Sequence, residues 1–457
     1  MKILISGGIG FLGSNLIEEL LRQNHDVVLI TRQSAEQIGP SPCRIVNWPP
    51  NEIEREAILD CEAAINLAGE SIAGPRWTPE RKNKIRSSRI QFTRALIEIL
   101  ARSNKLKTFL SSSAIGFYGN RKSEVLTEES PHGEGFLAEI CRDWEAEAER
   151  LSRFGARIVF LRTGIVLDRL NGVLGELEPL YRVGAGGASG SGEQFMSWIH
   201  IKDWVRAVIH TLNTPSLTGP VNLVAPEPVM NRSFSAVFGE LFRLPVQIPA
   251  PTFALKLALG EQAALVLDSQ NVRPTKLLES RFGFKFNILQ DALVDLYDYE
   301  EQGHKVADLY RQSQWVSAPL DKVFSFFSNE KNLERLTPKT LEFNVLQKST
   351  AEIQKGTLID YKLKIHGVPV KWRTLIAEWQ PPHRFIDTQI WGPYQLWHHT
   401  HTFESLAGGT LMKDKVHYSL PLGALGRAAG LWYVKKDVAH IFDFRRKTIR
   451  ELGHEIF

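Results

Sequence analysis

The stretch that decides the fold is KILISGGIGFLG, residues 2–13. Its apolar first five residues predict a β-strand, and leucines recurring on one face predict a helix over Phe11–Gln23. Gly7, Gly10 and Gly13 join the two: Gly7 permits the tight turn, Gly10 lets a pyrophosphate approach the backbone, and Gly13 lets the helix pack against the strand. This glycine fingerprint predicts a dinucleotide site at the helix N-terminus.

The same alternation of strand and helix continues to about residue 170. Further strands are predicted over 26–31, 63–67, 108–112 and 157–162, with helices over 82–102 and 136–154 between them. This spacing predicts βαβ units and a doubly wound parallel sheet, the α/β Rossmann class. The glycine- and serine-rich stretch 184–192 runs straight into the strand-like FMSWIHI, so we interpret it as a loop inside the domain, near the ligand.

The 457 residues allow two to four domains. We predict a Rossmann domain over 1–244, a small cap over 245–298, a polar linker over 299–308 and a second domain over 309–457. From Lys305 onward the formal charge is +7, against −3 before it, which favours separate units.

The second domain shows a different pattern. A strand over 310–316 precedes a helix that Ser317 or Asp321 could cap, and a long last helix is predicted over 433–451. Between them, strands are predicted over 356–365, 368–379, 385–390, 394–403 and 410–419. Strand, helix, antiparallel run and long helix predict an α+β helix-grip domain, with the helix on a curved sheet.

Composition excludes several classes. Hydrophobic residues make up 43% and charged residues 23%, which is ordinary for a globular protein, and no apolar run is long enough for a transmembrane segment. The three cysteines, Cys43, Cys61 and Cys141, are too scattered for a disulfide framework or a zinc site. With no basic and apolar leader at MKILISGGIG, we expect a cytoplasmic protein. No signature for nucleic-acid binding appears.

The end of the second strand bears on cofactor choice. An NAD site usually presents a carboxylate there, but this chain has Thr31 and Arg32. A guanidinium suits a 2′-phosphate, so the residues favour NADP(H). Alternatively, Arg32 is only a solvated surface charge.

The first 230 residues resemble the extended short-chain dehydrogenase/reductase (SDR) family, in its nucleotide-sugar epimerase branch. The resemblance rests on GGIGFLG, NLAG at 66–69, SSSA at 111–114 and SWIHIKD at 197–203. Segments 66–90, 136–145, 190–203, 219–229 and 269–286 are similar to an atypical subgroup, the SulA-family or epimerase-family proteins. The resemblance implies that Ser113 lies in the active site. It also implies that Phe11, Leu12, Leu67, Ala68 and Gly69 contact the cofactor, in addition to Gly7, Gly10, Gly13, Thr31 and Arg32.

One departure affects the chemistry. SDR enzymes use a Tyr-x-x-x-Lys pair as proton donor and pKa-lowering cation, but the corresponding helix presents Phe136 and Ile140. Tyr118, close to Ser113 in sequence, is a substitute donor or else only packs locally. Glu139 and Cys141 are weaker candidates. Arg76, Trp77, Arg86 and Arg89 either hold an anionic substrate or belong to the surface and core.

The tail from about Leu309 resembles the START-like or polyketide-cyclase-like (SRPBCC) helix-grip family. The resemblance rests on VSAPLDKVF at 316–324, NL at 332–333, LTP at 336–338, GPY at 392–394 and the closing helix. It implies an apolar ligand held between sheet and helix, with Trp391, Tyr394 and Trp397 in the cavity wall or core. His399 and His401 share one face of their strand and His398 the other, but no third ligand is evident, so no metal is predicted.

Two functions follow. The first is an NADP(H)-dependent oxidoreductase or epimerase acting on an unknown small substrate through unusual groups. The alternative is a non-catalytic, cofactor-sensing binding or regulatory protein, such as the cell-division inhibitors after which some relatives are labelled.

Overall fold

The computed structural model describes residues 1–243, 248–298, 306–421 and 423–452. They form two compact units. The first contains Met1–Gln33 and Cys43–Val306, and the second contains Ser34–Pro42 and Ala307–Phe457. Most of the polar segment that separates the two sequence patterns lies outside the described residues. The four predicted domain boundaries therefore stay predictions.

The elements up to residue 298 alternate as the sequence predicts. The strands are β1 Lys2–Ser6, β2 Asp26–Thr31, β3 Arg44–Asn47, β4 Ala63–Asn66, β5 Thr108–Ala114, β6 Val125–Leu126, β7 Arg157–Thr163, β8 Ile165–Leu167, β9 Phe195–Met196, β10 Trp198–His200, β11 Gly219–Leu223, β12 Val229–Met230 and β13 Asn271–Val272. The helices are α1 Phe11–Arg22, α2 Ala35–Ile38, α3 Glu52–Leu59, α4 Pro79–Leu100, α5 Phe136–Glu149, α6 Gly172–Arg182, α7 Ile201–Asn213, α8 Asn231–Glu240, α9 Thr252–Leu259, α10 Ala264–Leu267, α11 Thr275–Glu279 and α12 Leu289–Tyr297.

Seven of these strands form one parallel sheet in the order β11-β7-β5-β4-β1-β2-β3. On one face, Leu4, Val28 and Phe109 of the sheet pack with Ile58 of α3 and Leu96 of α4. The predicted doubly wound Rossmann class is confirmed. The strand order reverses between β1 and β4. The loops that follow these two strands therefore diverge and leave a crevice between them. Ligands of such sheets usually bind in this crevice.

The glycine- and serine-rich stretch 184–192 lies inside the first unit, as expected. Ser189 forms a parallel β-bridge with Ala250, and a side chain on Gly187 would meet the Ile248 carbonyl. The nearby SWIHIKD segment also has a structural role. The buried Asp203 carboxylate accepts hydrogen bonds from the backbone N–H groups of Lys285 and Phe286, at 2.9–3.0 Å.

The second unit contains one antiparallel sheet in the order β14-β20-β19-β18-β17-β16-β15. Its strands are β14 Asp308–Val316, β15 Asn344–Lys348, β16 Leu358–Ile365, β17 Val368–Gln380, β18 Arg384–Trp391, β19 Leu396–Leu406 and β20 Gly409–Ser419. Its later helices are α13 Leu320–Phe327, α14 Lys331–Arg335 and α15 Gly423–Leu452. Val438 and Phe442 of α15 pack on Val416 and Tyr418 of β20, which is the predicted helix-on-sheet arrangement.

Three details of this unit differ from the sequence prediction. Helix α15 begins ten residues earlier than predicted, and β15 and α14 were not predicted. Helix α13 has Pro319 at its N-cap, with no side-chain cap, so the choice of Ser317 or Asp321 was wrong. Among the residues described, no helix combines the length and apolarity needed to cross a membrane.

Candidate functional site

The glycine turn after β1 is packed backbone against backbone. Gly7 has φ +73°, and a Cβ there would lie 2.6 Å from the Leu67 carbonyl oxygen. A Cβ on Gly13 would lie 2.4 Å from the Gly7 carbonyl oxygen, so Gly13 allows α1 to approach the turn itself. Gly10 is exposed at the N-cap of α1, where no side chain accepts from the helix N–H groups. The turn therefore presents a helix N-terminus suited to phosphate.

The end of β2 presents the predicted cation. Thr31 is buried, and its hydroxyl accepts a hydrogen bond from the Gln33 N–H at 3.1 Å. Arg32 is exposed and makes no hydrogen bond or ion pair with the residues that the structure describes. Its guanidinium is therefore available to a 2′-phosphate.

The exit of β4 is fixed beside the glycine turn. The Asn66 side-chain oxygen accepts from the Ser6 hydroxyl at 2.6 Å and from the Ala68 N–H at 3.2 Å. The Leu67 N–H donates to the Ser6 carbonyl at 3.0 Å. These bonds hold Leu67–Gly69 next to the crevice. The residues expected to contact the cofactor, in the turn, at Arg32 and in this segment, thus lie at the same edge of the sheet.

The catalytic helix of the SDR resemblance has an apolar face here. Helix α5 begins at Phe136, where the tyrosine is expected, and Ile140 is buried one turn later. Both pack in a cluster with Trp77 and Ile85. The helix therefore offers a packing surface at the two positions where the enzymes carry an acid and a cation.

Ser113 and Tyr118 belong to a buried polar network. The Ser113 hydroxyl donates to Glu145 Oε1 at 2.6 Å, and Arg162 pairs with both Glu145 carboxylate oxygens at 2.9 Å. Arg162 also donates to the Tyr118 hydroxyl at 3.0 Å, and that hydroxyl donates to Asn222 Oδ1 at 2.7 Å. The sequence analysis missed Glu145, Arg162 and Asn222. An arginine within the apolar run RIVFLRT was the available signal.

The structure does not support Tyr118 as a proton donor. A 3₁₀ turn over Ile115–Tyr118 directs its ring into the core, where the residue is fully buried. Burial raises the pKa of its hydroxyl, against the opposing effect of Arg162. Local packing, the alternative interpretation of Tyr118, is what the structure contains.

The weaker catalytic candidates and the predicted substrate-binding residues lie in different surroundings. Cys141 is buried, and burial raises the pKa of its thiol to about 11, while Glu139 is exposed in the first turn of α5. Trp77 is core. Arg86 pairs with Asp143.

Two arginines remain near the crevice. Arg89 donates to the Glu70 carbonyl at 2.9 Å and to the Ile85 carbonyl at 3.1 Å, and burial lowers its pKa. Arg76 is exposed beside Gly260. The structure therefore does not bring the four predicted substrate-binding residues into one anion site.

In the second unit, His399 and His401 share the buried face of β19, as predicted, while His398 lies on the other face beside Thr388. The expectation of no third ligand does not hold. Asp387 of β18 lies beside both rings, and one ligand atom from each of the three residues lies within 4.8 Å of the others.

Comparison with known proteins agrees with this architecture. The family model described as "NAD dependent epimerase/dehydratase family" matches residues 3–223, and "Domain of unknown function (DUF1731)" matches residues 250–296. The model "Polyketide cyclase / dehydrase and lipid transport" matches residues 316–440. By fold, glycine turn and these matches, the chain belongs to the epimerase/dehydratase family.

Within that family it is similar to the epimerase family proteins of the SDR39U1 type. The epimerase family protein Mb2239 of Mycobacterium bovis is 37% identical over 294 residues, covering 64% of this chain and 96% of the relative. The chloroplastic SDR39U1 homolog of Arabidopsis thaliana is 36% identical over 303 residues, covering 64% and 86%. The crystal structure of human SDR39U1 (isoform 2) with NADPH superposes with a TM-score of 0.59 at 30% identity, covering 65% of this chain and 99% of that chain. The matched models and these relatives carry no SulA-family label.

Proposed function

We propose that the first unit binds NADP(H), with its pyrophosphate on the glycine turn and its 2′-phosphate on Arg32. The uncapped N-terminus of α1, the exposed Arg32 and the backbone of Leu67–Gly69 lie along one edge of the sheet. The similar human SDR39U1 was crystallised with NADPH, which agrees with this assignment.

We further propose that the bound cofactor serves in sensing or binding rather than in Tyr–Lys chemistry. One observation carries this proposal: the two positions of the Tyr–Lys pair, Ser113 and Tyr118 offer no accessible proton donor, which leaves the exposed Glu139 as the remaining candidate on α5. Phe136 and Ile140 are apolar, Tyr118 is fully buried, and the Ser113 hydroxyl is committed to the ion-paired Glu145. General acid–base catalysis requires a donor within hydrogen-bonding reach of the substrate.

We also propose that the second unit binds a hydrophobic ligand. Its match to the polyketide-cyclase and lipid-transport model and its helix on an antiparallel sheet support that role. Three buried cysteines that form no disulfide fit a reducing compartment such as the cytoplasm.

The test is a cofactor titration. A charge-assisted contact with phosphate is worth about 1.5–3 kcal/mol, so NADPH should bind at least about tenfold more tightly than NADH. Arg32→Ala should remove most of that difference, whereas the control Arg153→Ala, an exposed arginine after α5, should preserve it. Equal titration curves for the two cofactors in the unmutated chain would contradict the assignment.

A second measurement separates sensing from catalysis. NADPH absorbance is followed while the chain is offered small carbonyl compounds and nucleotide sugars, with Tyr118→Phe and Ser113→Ala in parallel. We expect no turnover in any of the three proteins. Turnover that falls at least tenfold in Tyr118→Phe would establish the alternative, an oxidoreductase or epimerase, and refute the binding role.

A further inference from the structure

Four polar residues, of which three are buried and Asp387 is partly exposed, meet on one face of the sheet in the second unit, and we call them the His–Asp cluster: Asp387, His399, His401 and Asp414. Asp387 of β18 pairs in register with His399 of β19, and Asp414 of β20 pairs with His401. Residues two apart on a strand share a face, so the sheet itself assembles the cluster. His399, His401 and Asp414 are each at most 5% exposed.

Asp414 orients both rings. Its Oδ1 lies 2.9 Å from His399 Nε2 and 3.0 Å from His401 Nδ1. Arg445 lies on the same side, with its Nη2 3.6 Å from Asp414 Oδ1. His399 can therefore give its Nε2–H to this carboxylate, whereas His401 Nδ1 faces both the carboxylate and Arg445 Nη2, which lies 3.5 Å away. A histidine that donates one N–H to a carboxylate is fixed in tautomer, and its other nitrogen becomes an acceptor.

The two remaining ring nitrogens face Asp387. His401 Nε2 lies 2.9 Å and His399 Nδ1 lies 3.5 Å from Asp387 Oδ2. At most one hydrogen atom, on His401 Nε2, lies among these three atoms, and a cation can replace it. A proton on His401 would satisfy the pair with Asp387 and leave His399 Nδ1 facing the carboxylate. A metal ion satisfies all three atoms at once.

We propose that Asp387, His399 and His401 bind a divalent transition-metal ion of the Zn²⁺ class. Zinc bonds of about 2.0–2.1 Å at tetrahedral angles separate ligand atoms by about 3.3–3.4 Å, and the 2.9 Å and 3.5 Å separations lie on either side of that spacing. The two imidazole rings, whose centroids are 3.7 Å apart, have to turn away from each other to bind one ion at such angles. Asp414 then has the outer role that carboxylates commonly play behind zinc-bound histidines. Three protein ligands leave a fourth position open, and the Asp387 side chain, 20% exposed, gives the ion a path to the site.

The surroundings fit a metal position with one open side. Phe385 stacks on the His401 ring at 4.0 Å, and Phe442 meets the His399 ring edge-on at 5.3 Å. These rings shield the histidines from water. Arg445 pairs with Asp414, and its charge also acts on Asp387.

The experiment is metal binding to the full-length chain after removal of metal with a chelator. Calorimetry with Zn²⁺ should give one ion per chain, and Co²⁺ should give the visible ligand-field spectrum of a tetrahedral site. His399→Gln, His401→Gln and Asp387→Asn should each weaken binding at least tenfold. His398→Gln is the matched control, since this histidine lies on the opposite face of the same strand, and it should bind as the unmutated chain does. Absence of Zn²⁺ binding to the unmutated chain, or equal binding by all four variants, would overturn the site.

Buried substitutions can prevent folding, so a second measurement uses the unmutated chain alone. Adding Zn²⁺ should shift the imidazole ¹⁵N resonances of His399 Nδ1 and His401 Nε2 and leave those of His398 in place. A His401 ring that carries protons on both nitrogens and does not respond to Zn²⁺ would identify the cluster as a proton-filled ion-pair network and refute the metal site.

Discussion

Replacement of Tyr118 by phenylalanine tests the buried network directly. The hydroxyl donates to Asn222 at 2.7 Å and accepts from the Arg162 guanidinium at 3.0 Å. The substitution keeps the ring and leaves both partners with an unsatisfied group in the core. A lost bond to a neutral partner costs about 0.5–1.5 kcal/mol and one to a charged partner about 1.5–3 kcal/mol. We therefore expect Tyr118→Phe to lower the free energy of unfolding by about 2–4 kcal/mol.

The assay is urea unfolding followed by circular dichroism, with midpoint and slope fitted separately. Tyr433→Phe is the control, because Tyr433 is an exposed residue and its loss should change stability by less than about 0.5 kcal/mol. NADPH affinity should stay within twofold in both variants. Unchanged stability of Tyr118→Phe, combined with a tenfold loss of cofactor affinity or turnover, would refute the structural role and return Tyr118 to the site.

Three further outcomes are expected. Glu145→Gln should cost about 3–5 kcal/mol in urea unfolding, because it leaves a buried guanidinium unpaired, whereas Glu147→Gln, whose two partner arginines are half-exposed, should cost about 0–1 kcal/mol. Gly13→Ala should lower stability by about 1–3 kcal/mol and weaken NADPH binding at least tenfold, while Gly283→Ala, whose added Cβ meets nothing within 4 Å, should change neither quantity. Cys141 should react with Ellman's reagent at pH 8 only after unfolding, since burial raises the pKa of its thiol to about 11 and keeps it protonated; rapid labelling of the folded chain at that position would contradict its burial.

The Rossmann half was predictable because its signals are local. Strand β2 has the predicted bounds, and β1, α1 and the glycine turn follow from twelve consecutive residues. Each βαβ unit carries its own pattern of apolar runs and helical periodicity, so no long-range contact has to be inferred. The second unit was harder to predict at its edge strand and at the start of its last helix. The half-exposed edge strand Asn344–Lys348 has little apolar alternation, and the residues that open α15 lack the polar face that marks a surface helix.

The candidate sites also differ in how much of each could be predicted from the sequence. The predicted cofactor contacts come from backbone and from residues at strand ends, which sequence position specifies. The partners of Ser113 depend on which helix face meets which strand, and Glu145 and Arg162 approach from α5 and β7. Alternation placed His399 and His401 on one face, but Asp387 reaches them through the register of a neighbouring strand. That register is a tertiary property that periodicity does not encode.

The two apolar positions on α5 connect the fold to the proposed function. Phe136 and Ile140 fill a cluster with Trp77 and Ile85, and the Trp77 ring meets Phe136 at 5.2 Å. An unpaired ammonium at position 140, among these apolar side chains, would cost several kcal/mol. At the positions of the Tyr–Lys pair, this helix therefore has side chains that serve its packing. The glycine turn, by contrast, keeps the close backbone contacts that a bound dinucleotide requires. The proposed role in binding NADP(H) rests on this contrast between the glycine turn and the apolar side chains of α5.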